Sequence, residues 1–326
     1  MRIRVLSGPL MACLLLAAGC GGGGGGTSAT PSTAQQGFPY TVHNCGVTTT
    51  YRRPPARAVT MNQHTTEIML ALGLRESMVG TAYMDDAILP EYASAYGSVK
   101  VLAEHYPSQE VLLSAEPDFV YGGFSSAFDQ SKGLGRDALA KDGINTYLNV
   151  ENCAAGPVTT ATDDEEITTI GRIFGVPARA KALTARMDAT VAAVRARLAG
   201  VRPVKVSVYD SGTRSAFTAG GAGIGNNMIE QAGGVNVFAD LNKSFGDVSF
   251  EQVAQRAPDV IVIYDYGDTT LASKKAFLLS NPALKDVPAV KNKRLVVLPL
   301  TSTVLGVRVP AAIQTLAQGL HPEAFR

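Results

Sequence analysis

The chain of 326 residues contains no tryptophan, so its intrinsic fluorescence must come from tyrosine alone. The sequence signs of catalysis are missing as well. There is no Gly-x-Ser-x-Gly elbow, no His-Glu-x-x-His pair and no reactive cysteine context. Charge of one sign is not in excess either: beyond the first 19 residues, 27 basic side chains face 28 acidic ones. That balance gives no electrostatic footprint for nucleic acid. No apolar run past the N-terminus approaches the length of a membrane span. The glycine-rich stretch Gly220-Gly221-Ala222-Gly223-Ile224-Gly225 lacks the following Lys-Ser/Thr of a P-loop. It reads instead as a tight turn that brings backbone near a cleft.

What is present starts at the N-terminus. Arg2 and Arg4 precede an apolar run from Leu10 to Ala18, too short to span a bilayer comfortably. The run ends at Leu16-Ala17-Ala18-Gly19-Cys20, followed by six glycines and a Thr/Ser/Ala/Pro/Gln stretch up to Gly37. This arrangement resembles a bacterial lipobox, with Ala17 where leucine is more usual. The resemblance implies a signal peptide over 1–19, a lipidated Cys20 as first mature residue, and a flexible tether over 20–37. The body would then sit outside the cytoplasm, anchored to the cell membrane through lipid only. In that oxidising setting Cys45 and Cys153 are expected to pair, two separate buried thiols being the alternative.

Strand-like and helix-like segments alternate with short connections, the signature of a mainly parallel α/β sheet. Residues 39–52 read as a β-hairpin around Asn44-Cys45-Gly46. Strands are expected at 58–61, 78–81 and 145–150, with a helix over 65–72 between the first two. Helices over 163–174 and 178–199 follow, and the alternation begins again at Val204. The second of those helices has neither glycine nor proline inside it and should span roughly 30 Å at about 1.5 Å per residue. Lying between two similar halves, it reads as a strut. The expected organisation is an N-terminal lobe over 38–162, a central helical segment over 163–200 and a C-terminal lobe over 201–326. The acidic run Asp163-Asp164-Glu165-Glu166 reads as a helix start with a solvated face.

One pattern occurs once in each half. Ser108-Gln109-Glu110 leads to Pro117-Asp118-Phe119-Val120, and Ser249-Phe250-Glu251 leads to Pro258-Asp259-Val260-Ile261. In both, Pro-Asp follows the glutamate by seven residues, so a short helix ends at a proline and feeds a buried strand. Each half then presents one exposed glutamate, Glu110 and Glu251, as if to dock on something pseudo-symmetric.

Loop residues just past strands are the candidates for ligand contact, because such positions line the crevice of α/β sheets. They are Asn62, His64, Tyr83, Tyr106 and Phe124 in the first half. In the second they are Tyr209, Arg214, Phe217, Phe245, Tyr266 and Arg308. Aromatics would cover an apolar chelator face, and Arg214 or Arg308 would pair with an anionic chelate. His64 and His105 are too few and too separated for a metal cage, so no metal site and no cofactor is assigned.

Thr66-Glu67-Ile68, Leu70-Ala71-Leu72-Gly73-Leu74, Val79-Gly80, the paired Glu-to-Pro-Asp units and Asn281-Pro282 to Leu298-Pro299 together resemble a known family. It is that of ABC-transporter substrate-binding lipoproteins for iron–siderophore complexes, vitamin B12 and haem, the class III periplasmic binding proteins. The resemblance covers roughly 55–320. It implies two Rossmann-like lobes with mainly parallel sheets joined by one long helix, and a monomer that is not an enzyme. It also implies a metal chelate in the interlobe cleft, a ferric siderophore first, with cobalamin or haem as the alternative. Glu110 and Glu251 would then dock on a dimeric ABC importer permease. An extracytoplasmic two-lobed enzyme and a sensing or scaffolding lipoprotein are the readings from other classes.

Overall fold

Two all-parallel sheets carry the architecture of the computed structural model, which describes residues 37–326. The expected signal peptide, lipidated Cys20 and all but the last residue of the tether lie outside the described residues. The first sheet contains β3 (Ala58–Met61), β4 (Met78–Ala82), β5 (Val101–Ala103), β6 (Phe119–Gly122) and β7 (Asn145–Leu148), in the order β5-β4-β3-β6-β7. Its pairings are parallel throughout. The second sheet has the order β10-β8-β12-β13, with β8 (Val204–Tyr209), β10 (Gly234–Asn236), β12 (Val260–Asp265) and β13 (Leu295–Pro299), again parallel. The central strands β3 and β12 are almost wholly buried, as expected for strands covered on both faces.

Helices fill the connections. In the first half they are α1 (Gln63–Ala71), α2 (Ala93–Tyr96), α3 (Gln109–Ser114) and α4 (Arg136–Lys141). Two helices follow, α5 (Thr160–Ile173) and α6 (Pro177–Arg197). The second half adds α7 (Ile224–Gln231), α8 (Phe250–Arg256), α9 (Leu271–Ser280), α10 (Pro288–Lys291) and α11 (Val309–Leu320). A short antiparallel pair, β9 (Ala216–Ala219) with β11 (Phe245–Val248), stands beside β8. No helix among the described residues is long and apolar enough to cross a membrane.

The strut is α6. Proline at its first position suits a helix start, and Arg195 and Arg197 in its last turn complement the helix dipole. Ala180, Leu183 and Met187 pack into the core of the first half, whereas Val191 and Val194 pack into the core of the second. One stripe of a 21-residue helix therefore belongs to two cores.

The hairpin forms as expected, β1 (Tyr40–Asn44) with β2 (Val47–Tyr51), and both turn residues, Cys45 and Gly46, have positive φ. Cys45 is bonded to Cys153, 108 residues away, which fastens the hairpin to the chain beyond β7.

The acidic run departs from expectation. Asp163 and Glu166 are fully buried, while Asp164 and Glu165 remain more open. The helix starts at Thr160, so Asp163 stands in its first turn as expected, but the four carboxylates turn with the helical period, two of them inward.

Candidate functional site

In an open parallel sheet the ligand crevice opens where the strand order reverses, beyond the carboxyl ends of the strands. Here those points are β3/β6 in the first sheet and β8/β12 in the second.

At the first, Asn62 follows β3 with φ of 86° and is completely buried. Its Oδ1 accepts the Tyr106 hydroxyl at 3.1 Å, and its Nδ2 has no partner. The Tyr106 hydroxyl also lies 3.1 Å from that of Ser126. Tyr83, another residue with positive φ, stacks on Tyr106 at 4.5 Å between ring centroids, and His105 lies 5.4 Å from Tyr83. His64 meets the edge of Phe124 at 5.1 Å. Gly123 makes this packing possible: a Cβ there would fall 2.4 Å from the His64 ring and 2.9 Å from the Asn62 Cβ. Burial pushes His64 down to about 4, partly offset by a hydrogen bond with the Gly123 backbone, so it is a neutral wall residue at physiological pH. All five first-half candidates thus meet in one cluster.

The second crevice gathers fewer of its candidates. Phe217 and Phe245 stack at 5.5 Å, with Phe245 edge-on to Tyr264. Tyr266 follows β12 and donates its hydroxyl to the buried Asp210 at 2.5 Å. Arg214 is exposed in the turn between β8 and β9. The structure places Tyr209 away from the crevice, in the core against Phe277, with its hydroxyl given to the Gly212 carbonyl at 2.8 Å. Strand alternation explains this, since neighbours on a strand face opposite ways and Asp210 turns the other way.

Arg308 is also not where an anionic ligand could use it. Its Nε and Nη2 bind Glu67 at 2.7 and 2.6 Å, and Nη2 also reaches the Ala87 carbonyl at 2.7 Å. Nη1 bonds Asp86 at 3.3 Å and Thr301 at 3.1 Å. All five N–H donors are committed within the protein. Desolvation opposes the charge, but Glu67 and Asp86 outweigh it and raise the pKa.

That ion pair joins first-half residues to the segment between β13 and α11, and other contacts reinforce the junction. Glu151 accepts the Leu305 N–H at 3.0 Å, and the Ile224 amide at the start of α7 favours its charge without reaching hydrogen-bond geometry. The glycine-rich loop therefore leads to a helix N-terminus whose first amide already lies near an internal carboxylate. Glu166 accepts from the hydroxyls of Tyr121 and Tyr147 and from the Val150 N–H. Both oxygens of Asp163 lack a hydrogen-bond partner; the Gly306 amide favours its charge without reaching hydrogen-bond geometry. Burial pushes Glu151 and Glu166 up to about 7 and Asp163 well above the usual carboxylate range.

The repeated units prove largely structural. Ser108 and Ser249 cap α3 and α8, accepting the N–H of Val111 at 3.2 Å and of Gln252 at 3.1 Å. Glu116 and Ala257, each just before its proline, share a left-handed conformation, φ 46° and 47°. Asp118 accepts the N–H groups of Ala56 and Arg57 at the start of β3, and Asp259 accepts that of Lys205 in β8. The two glutamates have no such internal task. Both are exposed in the first turn of their helix, and neither forms an ion pair among the described residues.

Sequence reasoning missed Gly123, Asp210 and Lys274, and only the pair Gly122-Gly123 at the end of a strand carried a visible signal. A groove of about 600 Å³ between α6 and α11, lined in part by Thr190, Arg197, Gln314 and Gln318, shares no residue with either crevice.

Comparison with known proteins adds an independent line. A family model described as "Periplasmic binding protein" matches residues 59–300. A cobalamin-binding protein of Halobacterium salinarum is 27% identical over 241 residues, which is 72% of this chain and 61% of that protein. The chain thus spans about three fifths of that relative's length. The crystal structure of a periplasmic binding protein from Veillonella parvula superposes with a TM-score of 0.80 at 31% identity, covering 87% of this chain and 97% of the other. An ABC-type Fe3+-hydroxamate transport system from Saccharomonospora viridis gives 0.73 at 27%, covering 88% and 99%.

Proposed function

The chain belongs to the periplasmic binding protein family, and on that premise we propose that it captures a bulky, largely uncharged metal chelate, a corrinoid first, and hands it to an ABC importer. The observation that carries this reading is the engagement of Arg308. With its donors committed to Glu67, Asp86, Ala87 and Thr301, the expected cation for an anionic chelate is withdrawn and Arg214 alone remains. The crevices otherwise offer aromatic faces, and the charged Asp210 and Lys274 of the second are buried and engaged within the protein, which suits a large amide-bearing ring system. The likeness to a cobalamin-binding protein supports the same choice.

A ferric siderophore, the first expectation from the sequence, stays as the second reading in a narrower form. An uncharged ferric hydroxamate fits these walls as an anionic ferric catecholate does not, and the likeness to an Fe3+-hydroxamate transport system favours it. In either reading Cys20 anchors the body outside the cytoplasm, and α6 limits how far the lobes can hinge, so the cleft is largely formed before the ligand arrives. Exposed Glu110 and Glu251 set the register on the permease and steer the encounter more than they add affinity.

The test is titration of the purified protein with cyanocobalamin, a ferric hydroxamate and a ferric catecholate, read by tyrosine fluorescence and by native mass spectrometry. Tightest binding of cyanocobalamin is expected. Preference for the catecholate contradicts the reading, and binding of none of the three removes the chelate assignment.

A further inference from the structure

The second crevice contains a buried cation with no ion-pair partner. Lys274, on α9, is 3% exposed, yet no carboxylate among the described residues comes within ion-pair distance of its ammonium. Its Nζ donates to the Asp210 carbonyl at 2.9 Å and the Tyr264 carbonyl at 2.5 Å, tying together the carboxyl ends of β8 and β12. It also lies 4.4 Å from the centroid of the Tyr266 ring. Desolvation pulls its pKa below the usual lysine range, against the pull of Asp210 and Asp265. Two carbonyls and the face of one ring are what surround the ammonium.

Tyr266 is therefore fixed at two points. Asp210 holds its hydroxyl at 2.5 Å, and Lys274 sits over its ring, while 37% of the residue stays exposed at the point where the strand order of the second sheet reverses. We infer that Lys274 and Asp210 are positioning residues that set Tyr266 as the rigid aromatic contact of the second lobe for the ligand. A ring with hydroxyl and position already fixed loses little freedom when a flat, apolar ligand face settles on it. A cation behind the ring also sets the electrostatics of that contact. A lysine that served only to staple strand ends would matter whether or not Tyr266 were present.

That contrast supplies the experiment, which rests on the chelate-binding reading for its first arm. Cyanocobalamin affinity is measured for wild type, Lys274→Met, Tyr266→Ala and the double variant. Lys274→Met is expected to weaken binding about tenfold, mostly through faster release. Combined with Tyr266→Ala it should add nothing to the loss from Tyr266→Ala alone. Multiplying losses, or wild-type affinity in Lys274→Met, overturns the inference. Asp210→Asn with Tyr266→Phe gives a second cycle with the same expectation, should the lysine variant fold poorly.

A second arm needs no ligand. In protein labelled with 3-fluorotyrosine, the resonance lost on Tyr266→Phe reports that ring. It should shift and narrow in Lys274→Met as the ring is freed, and an unchanged resonance refutes the positioning role even if no chelate binds. Failure of wild type to bind any chelate, with this resonance responding as expected, would count against the ligand and not against the positioning.

Discussion

Glu67 and Arg308, 241 residues apart, form a bidentate ion pair at 2.6 and 2.7 Å, with the glutamate fully buried and the arginine nearly so. The pair joins α1 of the first half to the residue that caps α11 in the second. Removing one partner leaves the other charged and desolvated. Arg308→Met should therefore lower unfolding free energy by about 3–5 kcal/mol. Replacing both, Glu67→Met with Arg308→Met, should cost less than the two single losses summed. Urea denaturation of the four proteins checks this; additive losses would show that the two groups do not act as a pair.

The junction carboxylates make stability depend on pH in an unusual direction. Glu151 and Glu166 are raised to about 7 by burial, and Asp164 to about 6 by burial and the neighbouring Asp188. A carboxyl whose folded pKa exceeds its unfolded value stabilises fully below the unfolded value, and that contribution is lost as pH rises through the folded one. His64, lowered to about 4, acts oppositely and takes stability away as pH falls from its ordinary range towards 4. Three carboxyls outweigh one imidazole, so the melting temperature should fall between pH 5 and 8. Glu166→Gln should flatten that slope, and a melting temperature that rises over this range would contradict the assignment.

The disulfide between Cys45 and Cys153 closes a separation of 108 residues. On the chain-entropy account a loop of this size contributes about 4–5 kcal/mol. Cys45→Ser with Cys153→Ser should lower the denaturation midpoint accordingly without altering far-UV circular dichroism. Loss of helix and strand signal in the native variant would mean that the hairpin is required to fold the first lobe.

Much of the fold was legible because local signals and burial agree. The apolar runs at Ala58 to Met61 and Val204 to Tyr209 are β3 and β8 with the expected bounds, and the strut lies within two residues of its expected ends. The strands β5, β9, β10 and β11 were not foreseen, being three or four residues long and dependent on distant partners. The first crevice was readable for a simple reason: its residues lie one to three positions past the ends of β3, β4, β5 and β6. The second was readable only in part. Nothing local distinguishes Tyr209 in the core from Asp210 in the crevice, since register decides the face. Arg308 and the acidic run were misread for one reason. Their partners, Glu67 for the arginine and Tyr121 and Tyr147 for Glu166, are brought near only by tertiary packing.

The paired units leave Glu110 and Glu251 as the residues without an internal task, while their serines and aspartates cap helices and start strands. Uptake of cyanocobalamin by cells carrying the cognate importer, measured for Glu110→Lys with Glu251→Lys and compared with the affinity of the purified variant, tests delivery most directly. Uptake should be abolished while affinity stays within about twofold of wild type, because rim charges govern encounter and register. Normal uptake by the doubly reversed protein would contradict the account.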